Sequence, residues 1–455
     1  MMRILHHVRP LGNSRSTALF LPLALVALAA TLSAQEPTAR VYRDGPAWVE
    51  ESQGTIKIPG GQLLYLRSER GNLLVRTGPA GEVRYRIRKL AYWGSERRAR
   101  ELFGAFTVRV SQTQSEVRIH GEWQRRYRPS YFRNFSVEYE ITVPASFRAD
   151  LETRGGDIQV EGLENTLRAV TAGGNIRTGN IGDETFVETM GGSITLGTIG
   201  GTLHAQTAGG DIRVEGVKGS AMLKTLGGEI ISGHLNGSVR ATTAGGDVQI
   251  EGATGDVFAR TAGGYIAVGE VGGRVQAETA GGSILIESAA GGVEVQTLGG
   301  GIELERIRAG VRAATTAGNI LARILNERKL ASESLLETSF GDVKVYLLPE
   351  LAVTIDAVIE MATSHKIRTD FPLKIEGASG EYSFTPRRVR AFGELNGGGQ
   401  RLRIRTVGGD IVILKLTQRV LERLQEHKRG HWKRWQKRLQ QRPPKLRPPQ
   451  PDQVP

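Results

Sequence analysis

Threonine recurs at Thr153, Thr171, Thr189, Thr207, Thr225, Thr243, Thr261, Thr279, Thr297 and Thr315, always 18 residues apart. In nine of these ten units a Gly-Gly pair follows two and three residues later, from Gly155-Gly156 to Gly299-Gly300. The tenth reads Thr315-Thr316-Ala317-Gly318. A fixed period of this length marks a stacked repeat, in which a unit buries its apolar face only against its neighbours.

Five residues after each threonine stands an aliphatic: Ile158, Ile176, Ile194, Ile212, Ile230, Val248, Ile266, Ile284, Ile302 and Ile320. Two residues further on comes another in most units, as at Val160, Leu196, Val214 and Ile250, and the residue between is polar at Gln159, Arg177, Arg213 and Gln249. Alternation with period two is a strand with one buried face. A second strand precedes the threonine, with Val239, Val257, Val275 and Val293 four residues before it and Ala241, Ala259, Ala277 and Val295 two before it. The threonine continues that buried parity. This predicts an internal threonine column whose hydroxyls bond within the column or to the backbone.

Gly-Gly admits a positive φ and a sharp corner between the strands. Gly216, Gly219, Gly237, Gly252, Gly255 and Gly273 turn the chain on the opposite side. Two to four glycines per unit weigh against helix. The expected fold is all-β: a parallel β-solenoid of 18-residue coils, each bonded through its backbone to the coils above and below. Ten coils at about 4.8 Å rise roughly 45–50 Å. The buried positions do not follow the six-residue rule of the hexapeptide left-handed helix, and a right-handed coil is expected, as for most parallel crossovers.

The flanks differ. Residues 35–150 read as a β-rich N-terminal cap with one short helix near Ser95 to Phe103, Ser95 standing as N-cap. Such a cap shields the first open edge of the stack. The regular solenoid is expected over 151–345 and an irregular β-rich end over 346–416, with extra turns at Thr338-Ser339-Phe340-Gly341 and Thr406-Val407-Gly408-Gly409. Residues 417–441 read as a basic amphipathic helix, and 442–455 as a disordered Pro/Arg-rich tail.

The N-terminus supplies the compartment. Arg3, Arg9 and Arg15 precede an apolar run from Ala18 to Ala30, and Leu32-Ser33-Ala34 follows. This is the pattern of a secretory signal peptide over residues 1–34, and it places the protein in the periplasm or at the cell surface. The chain has no cysteine, which excludes disulfides, thiolate metal sites, a cysteine nucleophile and a lipobox anchor. The net charge of +13 is uneven. Residues 415–455 hold twelve Lys/Arg against three acids and the leader holds three arginines, so the body between them is close to neutral.

The Thr-x-Gly-Gly-Asp-Ile-x-Val-x-Gly units resemble those of the bacterial "putative adhesin" family of domains of unknown function. So do Val143-Pro144-Ala145 before the first regular coil and Gly397-Gly398-Gly399 before Leu402-Arg403-Ile404-Arg405-Thr406. The resemblance covers about residues 55–416. It implies a β-solenoid on an exported or membrane-associated protein and brings no catalytic motif.

Several constellations carry candidate chemistry. The residue after Gly-Gly is often acidic or polar, as at Asp157, Asn175, Asp211, Glu229 and Asp247; this column suits turn chemistry, with calcium the rarer reading. Glu161, Glu215, Glu251, Glu287 and Glu305 share one offset. With Arg177 and Arg213 they form a candidate binding face for a glycan or protein, against the plainer reading of a solvated face with cross-strand pairs. His204 and His234 stand at different offsets and make no metal motif. No cofactor, metal or catalytic set is expected. Trp123 to Arg133 interleaves arginine with aromatics, which suits a surface loop; nucleic acid is not expected of an exported protein. Lys428, Arg429, Trp432, Lys433, Arg434, Trp435, Lys437 and Arg438 could lie on an anionic membrane or polymer.

These features favour an exported, non-catalytic, adhesin-like binding or structural module at the cell envelope. The alternatives are a self-associating scaffold of the bactofilin kind and a carbohydrate-active β-helix enzyme. Ligand and oligomeric state are not legible in the sequence.

Overall fold

The computed structural model describes residues 39–58, 62–92, 94–124, 134–326, 328–377 and 387–418. Residues 1–38, which include the expected signal peptide, and 419–455, which hold the basic segment and the tail, lie outside the described residues.

The body is a parallel β-solenoid. Each coil gives one strand to an isoleucine sheet and one to a threonine sheet, and like residues stack on like. Ile158 pairs with Ile176, Ile176 with Ile194 and Ile194 with Ile212. Thr153 pairs with Thr171 and Thr171 with Thr189. The aliphatics expected inside are buried, among them Ile158, Ile176, Ile212, Val248 and Ile266 at 0% exposure. A third buried column, Leu163, Ile181, Ile199, Val217 and Leu235, closes the core on the remaining side. Because the coils repeat, these columns run through one continuous apolar core.

The threonine column is fixed by its hydroxyls, which bond to backbone and not to one another. Each Oγ1–H donates to the carbonyl of the second glycine one coil earlier. Thr171 bonds Gly156, Thr189 bonds Gly174, Thr207 bonds Gly192 and Thr243 bonds Gly228, at 2.7–2.9 Å. The same oxygen accepts the N–H of the second glycine of its own coil, as from Gly246 to Thr243 at 3.3 Å. One buried side chain therefore satisfies two polar backbone groups at the corner, where the sheet ladder cannot reach them. A bond of this kind contributes about 1 kcal/mol net, and losing it strands a buried carbonyl at greater cost.

The glycines serve a different purpose from the positive φ expected of them. Within the repeated Gly-Gly pairs only Gly156 has a positive φ, at 133°. The requirement is space. A Cβ on the second glycine of a pair, such as Gly174, Gly210, Gly246 or Gly300, would run into the carbonyl oxygen of the second glycine one coil earlier. The first glycine is looser: a Cβ on Gly245 would stand 3.3 Å from the Gly227 oxygen, and on Gly173 it would meet nothing within 4 Å. This explains why Ala317 and Phe340 stand at the first position while Gly318 and Gly341 keep the second.

The ladder runs past the regular units at both ends, and there the coils stack out of chain order. At the N-terminal end the coil of Leu63–Ser68 and Asn72–Gly78 packs on the first regular coil, Ser68 over Thr153 and Leu73 over Ile158. The later strands Glu116–Trp123 and Phe135–Pro144 lie beyond it. At the C-terminal end Arg401–Gly408 and Ile411–Lys415 sit directly on the coil of Ser334–Phe340 and Val343–Leu347. The earlier strands Val353–Ala362 and Ile367–Thr369 lie beyond them. Thr406 thus continues the threonine column over Thr338, although 68 residues separate the two.

Antiparallel strands finish both ends. Ala47–Lys57 and Glu82–Ala91 extend the isoleucine sheet to an edge at Arg40–Asp44, which is short, charged and largely exposed. The other sheet ends on Phe106–Gln112 at one side and on the three exposed residues Lys374–Glu376 at the other. Short, charged edges of this kind resist further strand addition. The helix spans Glu96–Ala105 with Ser95 in the N-cap position, but the Ser95 hydroxyl makes no capping bond. Trp123 is not part of an open loop: its ring packs 5.1 Å from Phe106 and 4.9 Å from Phe135. Residues 125–133, the rest of the arginine-aromatic run, lie outside the described residues.

Candidate functional site

Outward-facing side chains form columns along the stack, and each column has its own chemistry. The residue after Gly-Gly makes a hydrogen-bond ladder. Asp157 Oδ1 accepts the N–H of Asn175, Asn175 Oδ1 that of Ser193, Asp211 Oδ1 that of Glu229 and Asp247 Oδ1 that of Tyr265, at 2.8–3.0 Å. These side chains pair the backbone groups left open at the corner, which is turn chemistry. Among the described residues no group of three or more His, Cys, Asp or Glu is placed to hold a metal ion.

The shared-offset glutamates occupy the bend between Ile-containing and third-side segments, and they do not converge. Glu161 pairs with Arg76 at 3.1 Å, and Glu215 is exposed. Arg177 and Arg213 turn to the other column, Arg177 to Asp157 at 3.6 Å and Arg213 to Asp211 at 2.9 Å. Burial raises the Glu251 carboxyl, with His234 pulling the other way.

Glu305 is the most perturbed of these acids. Burial, with Glu303 beside it, pushes its carboxyl up to about 7 against the pull of Arg323. Arg323 bonds Glu305, lies 3.6 Å from Glu303 and is itself nearly buried. A folded-state pKa above the unfolded one means that the folded chain holds the proton more tightly. The stabilising contribution is complete below about pH 4.5 and is lost as pH rises through 7. The wild-type chain is expected to lose on the order of 1–3 kcal/mol more than Glu305→Gln across that window. Urea unfolding at a series of pH values measures the difference; parallel profiles would show that Glu305 does not titrate there.

The threonine sheet carries a shallow concave surface, which sequence reasoning missed. It is a groove of about 610 Å³ across six coils, from Glu184 to Gln276. Its floor is one outward column in which Phe186 pairs with His204, His204 with Met222, Met222 with Arg240 and Arg240 with Phe258. The Phe186 and His204 rings stack with centroids 4.9 Å apart and planes 5° apart. The Arg240 guanidinium lies 4.2 Å from the Phe258 ring centroid, a cation–π contact. Met222 is 44% exposed between these two platforms. A ledge beside the floor carries Thr202, Ser220, Ser238 and Asp256. Asp256 accepts the Arg274 N–H at 2.7 Å, and its own N–H donates to Ser238 Oγ at 3.2 Å. The floor residues are all 18 apart, but they differ in type from coil to coil. Only alignment of the outward column in register could have revealed them from sequence.

Residues 88–269 match the family described as Toastrack DUF4097, a domain of unknown function. The Toastrack match starts in a strand of the N-terminal end and stops at Gly269, within the run of regular coils, which continues unchanged to Thr315. It is narrower than the span of 55–416 suggested by the motifs, and it contains most of the groove, including Phe186, His204, Met222, Arg240 and Phe258.

No curated protein matches the chain. Solved structures similar to this chain include a Clostridium sporogenes protein named for cell adhesion, at 10% identity and a TM-score of 0.15, covering 80% of this chain and 100% of the other. A Bacteroides fragilis protein named as an adhesin has 14% identity and a TM-score of 0.28, covering 54% and 96%. A Parabacteroides distasonis protein named for lipid binding has 11% identity and a TM-score of 0.21, covering 61% and 91%. Likeness at this level carries no argument about what this chain binds. The expected membrane-contact residues, Lys428 to Arg438, lie outside the described residues. No helix among the described residues is long and apolar enough to cross a membrane.

Proposed function

We propose that the protein is a non-catalytic binding module of the bacterial cell envelope, exported by its N-terminal leader and presenting the solenoid surface to an envelope ligand. The observation that supports this most is the groove on the threonine sheet. It is long, shallow and mixed in chemistry, with aromatic platforms on the floor and hydroxyls on the ledge. Catalysis by acids and bases needs a positioned pair with proton-accepting atoms free. Of the two carboxylates in the groove, Glu184 and Asp256, the second is engaged by backbone. The leader pattern of Arg3 to Ala34 supports export. Two of the end strands, Arg40–Asp44 and Lys374–Glu376, are short and charged, which weighs against strand addition at those edges and so against a bactofilin-like scaffold.

Co-sedimentation of the chain beginning at Gln35 with isolated cell-envelope material tests this reading. Saturable binding, with no release of soluble sugar and a monomeric mass by light scattering, is the expected result. Absence of saturable binding to any envelope fraction, or mass growing with concentration, would overturn it.

A further inference from the structure

We propose that the groove binds a linear, uncharged polysaccharide lying parallel to the stacking axis, with Phe186 and Phe258 as its two platforms. The inference rests on the binding-module reading and names the ligand class.

The groove crosses six coils, so at about 4.8 Å per coil its floor is roughly 24 Å long. A polymer fills such a strip; a compact metabolite does not. Phe186 and Phe258 stand four coils apart in one column, or about 19 Å. A chain of several sugars touches both at once, and a short one touches either.

Charge and hydrogen bonding narrow the class. Arg240 and Arg274 are balanced by Glu184 and Asp256 in the lining, so a polyanion gains no net attraction. An extended peptide would bind a sheet by adding to a free edge. Every strand under the groove is already paired on both sides, and no edge is open to it. What remains on offer is the outward side of the stacked rings and the exposed Met222, beside a row of hydroxyls and the Asp256 carboxylate. A sugar ring has the matching form, with C–H groups on its faces and hydroxyls around its rim. Phe and Met take the faces, while Ser220, Ser238 and Asp256 reach the rim.

Titration calorimetry of the chain beginning at Gln35 with cello- and chito-oligosaccharides, from disaccharide to octasaccharide, tests the proposal. Affinity is expected to rise at least about tenfold once the chain is long enough to touch both platforms, then level off. Phe186→Ala and Phe258→Ala should each bring the octasaccharide back to the affinity of a tetrasaccharide, with unfolding midpoints held near wild type because both side chains face outward. Length-independent binding, or binding untouched by both substitutions, overturns the groove assignment. Binding of heparin or of a second copy in place of both neutral series overturns the ligand class. If wild type and both variants sediment equally with envelope material, this inference falls while the binding-module reading stands; if wild type does not sediment at all, both fall.

Discussion

Gly246→Ala is expected to destabilise the protein by on the order of 3 kcal/mol or more, while Gly245→Ala, one residue away, should change stability by less than about 1 kcal/mol. The two glycines look alike in sequence and differ in what lies beneath them. A Cβ on Gly246 would run into the Gly228 backbone at its carbonyl, while on Gly245 it would stand 3.3 Å from the Gly227 oxygen. Neither glycine has a positive φ, so strain from a left-handed backbone does not enter. The Gly246 side chain could be accommodated only by spreading the coils. That would stretch the Thr243 bond to the Gly228 carbonyl, 2.9 Å, which ties the two coils together. Urea unfolding of both variants measures the contrast. Equal losses would show that crowding at the second glycine is not what the pair exists for.

A chain ending at Gly399 should fail to fold as a soluble monomer, while one ending at Thr417 should fold. The shorter chain loses Arg401–Gly408 and Ile411–Lys415, which lie between two other coils and pair with both. Leu402, Ile404, Ile411, Ile413 and Leu416 are buried there. At about 1.5–3 kcal/mol each, their loss is on the order of 10 kcal/mol, comparable with the whole stability of a typical domain. The outer coil cannot drop into the gap. In the ladder Ile359 stands over Thr406, so Ala362 would take the place of Gly409, and a Cβ on Gly409 would collide with the Gly341 carbonyl. Two parallel edges would be left open, a template for aggregation. Size-exclusion chromatography and melting of the two chains decide the matter. A cooperative melt of the shorter chain at the control's temperature would mean that the outer coil can close the gap after all.

Much of this could be read locally. The 18-residue spacing of threonine, the Ile-x-Val alternation and the buried parity of both strands are written in every unit, and each appears in the structure where the pattern puts it. One coil was hidden. Ser68-Glu69-Arg70-Gly71-Asn72-Leu73 is a repeat unit with serine for threonine and arginine for the first glycine, and Asn72 Oδ1 even accepts the Asp157 N–H. It becomes legible once the second glycine is known to be the obligatory one. The shared-offset glutamates are a different case. Their spacing is real, but Arg177 and Arg213 pair with the column after Gly-Gly, Arg213 with Asp211 in its own coil and Arg177 with Asp157 one coil earlier.

By itself, then, the sequence determined the coil: its length, its two strands, its inward side chains and the threonine that ties one coil to the next. These depend on period and parity, which are properties of short segments. Tertiary structure alone decided which glycine must stay bare, in what order the coils stack at the two ends, and where Phe186, His204, Met222, Arg240 and Phe258 gather into a groove. The physical reason is that each of these depends on what the coil above or below presents. At the C-terminal end that neighbour is a segment arriving more than sixty residues later, which sets Gly409 over the Gly341 carbonyl.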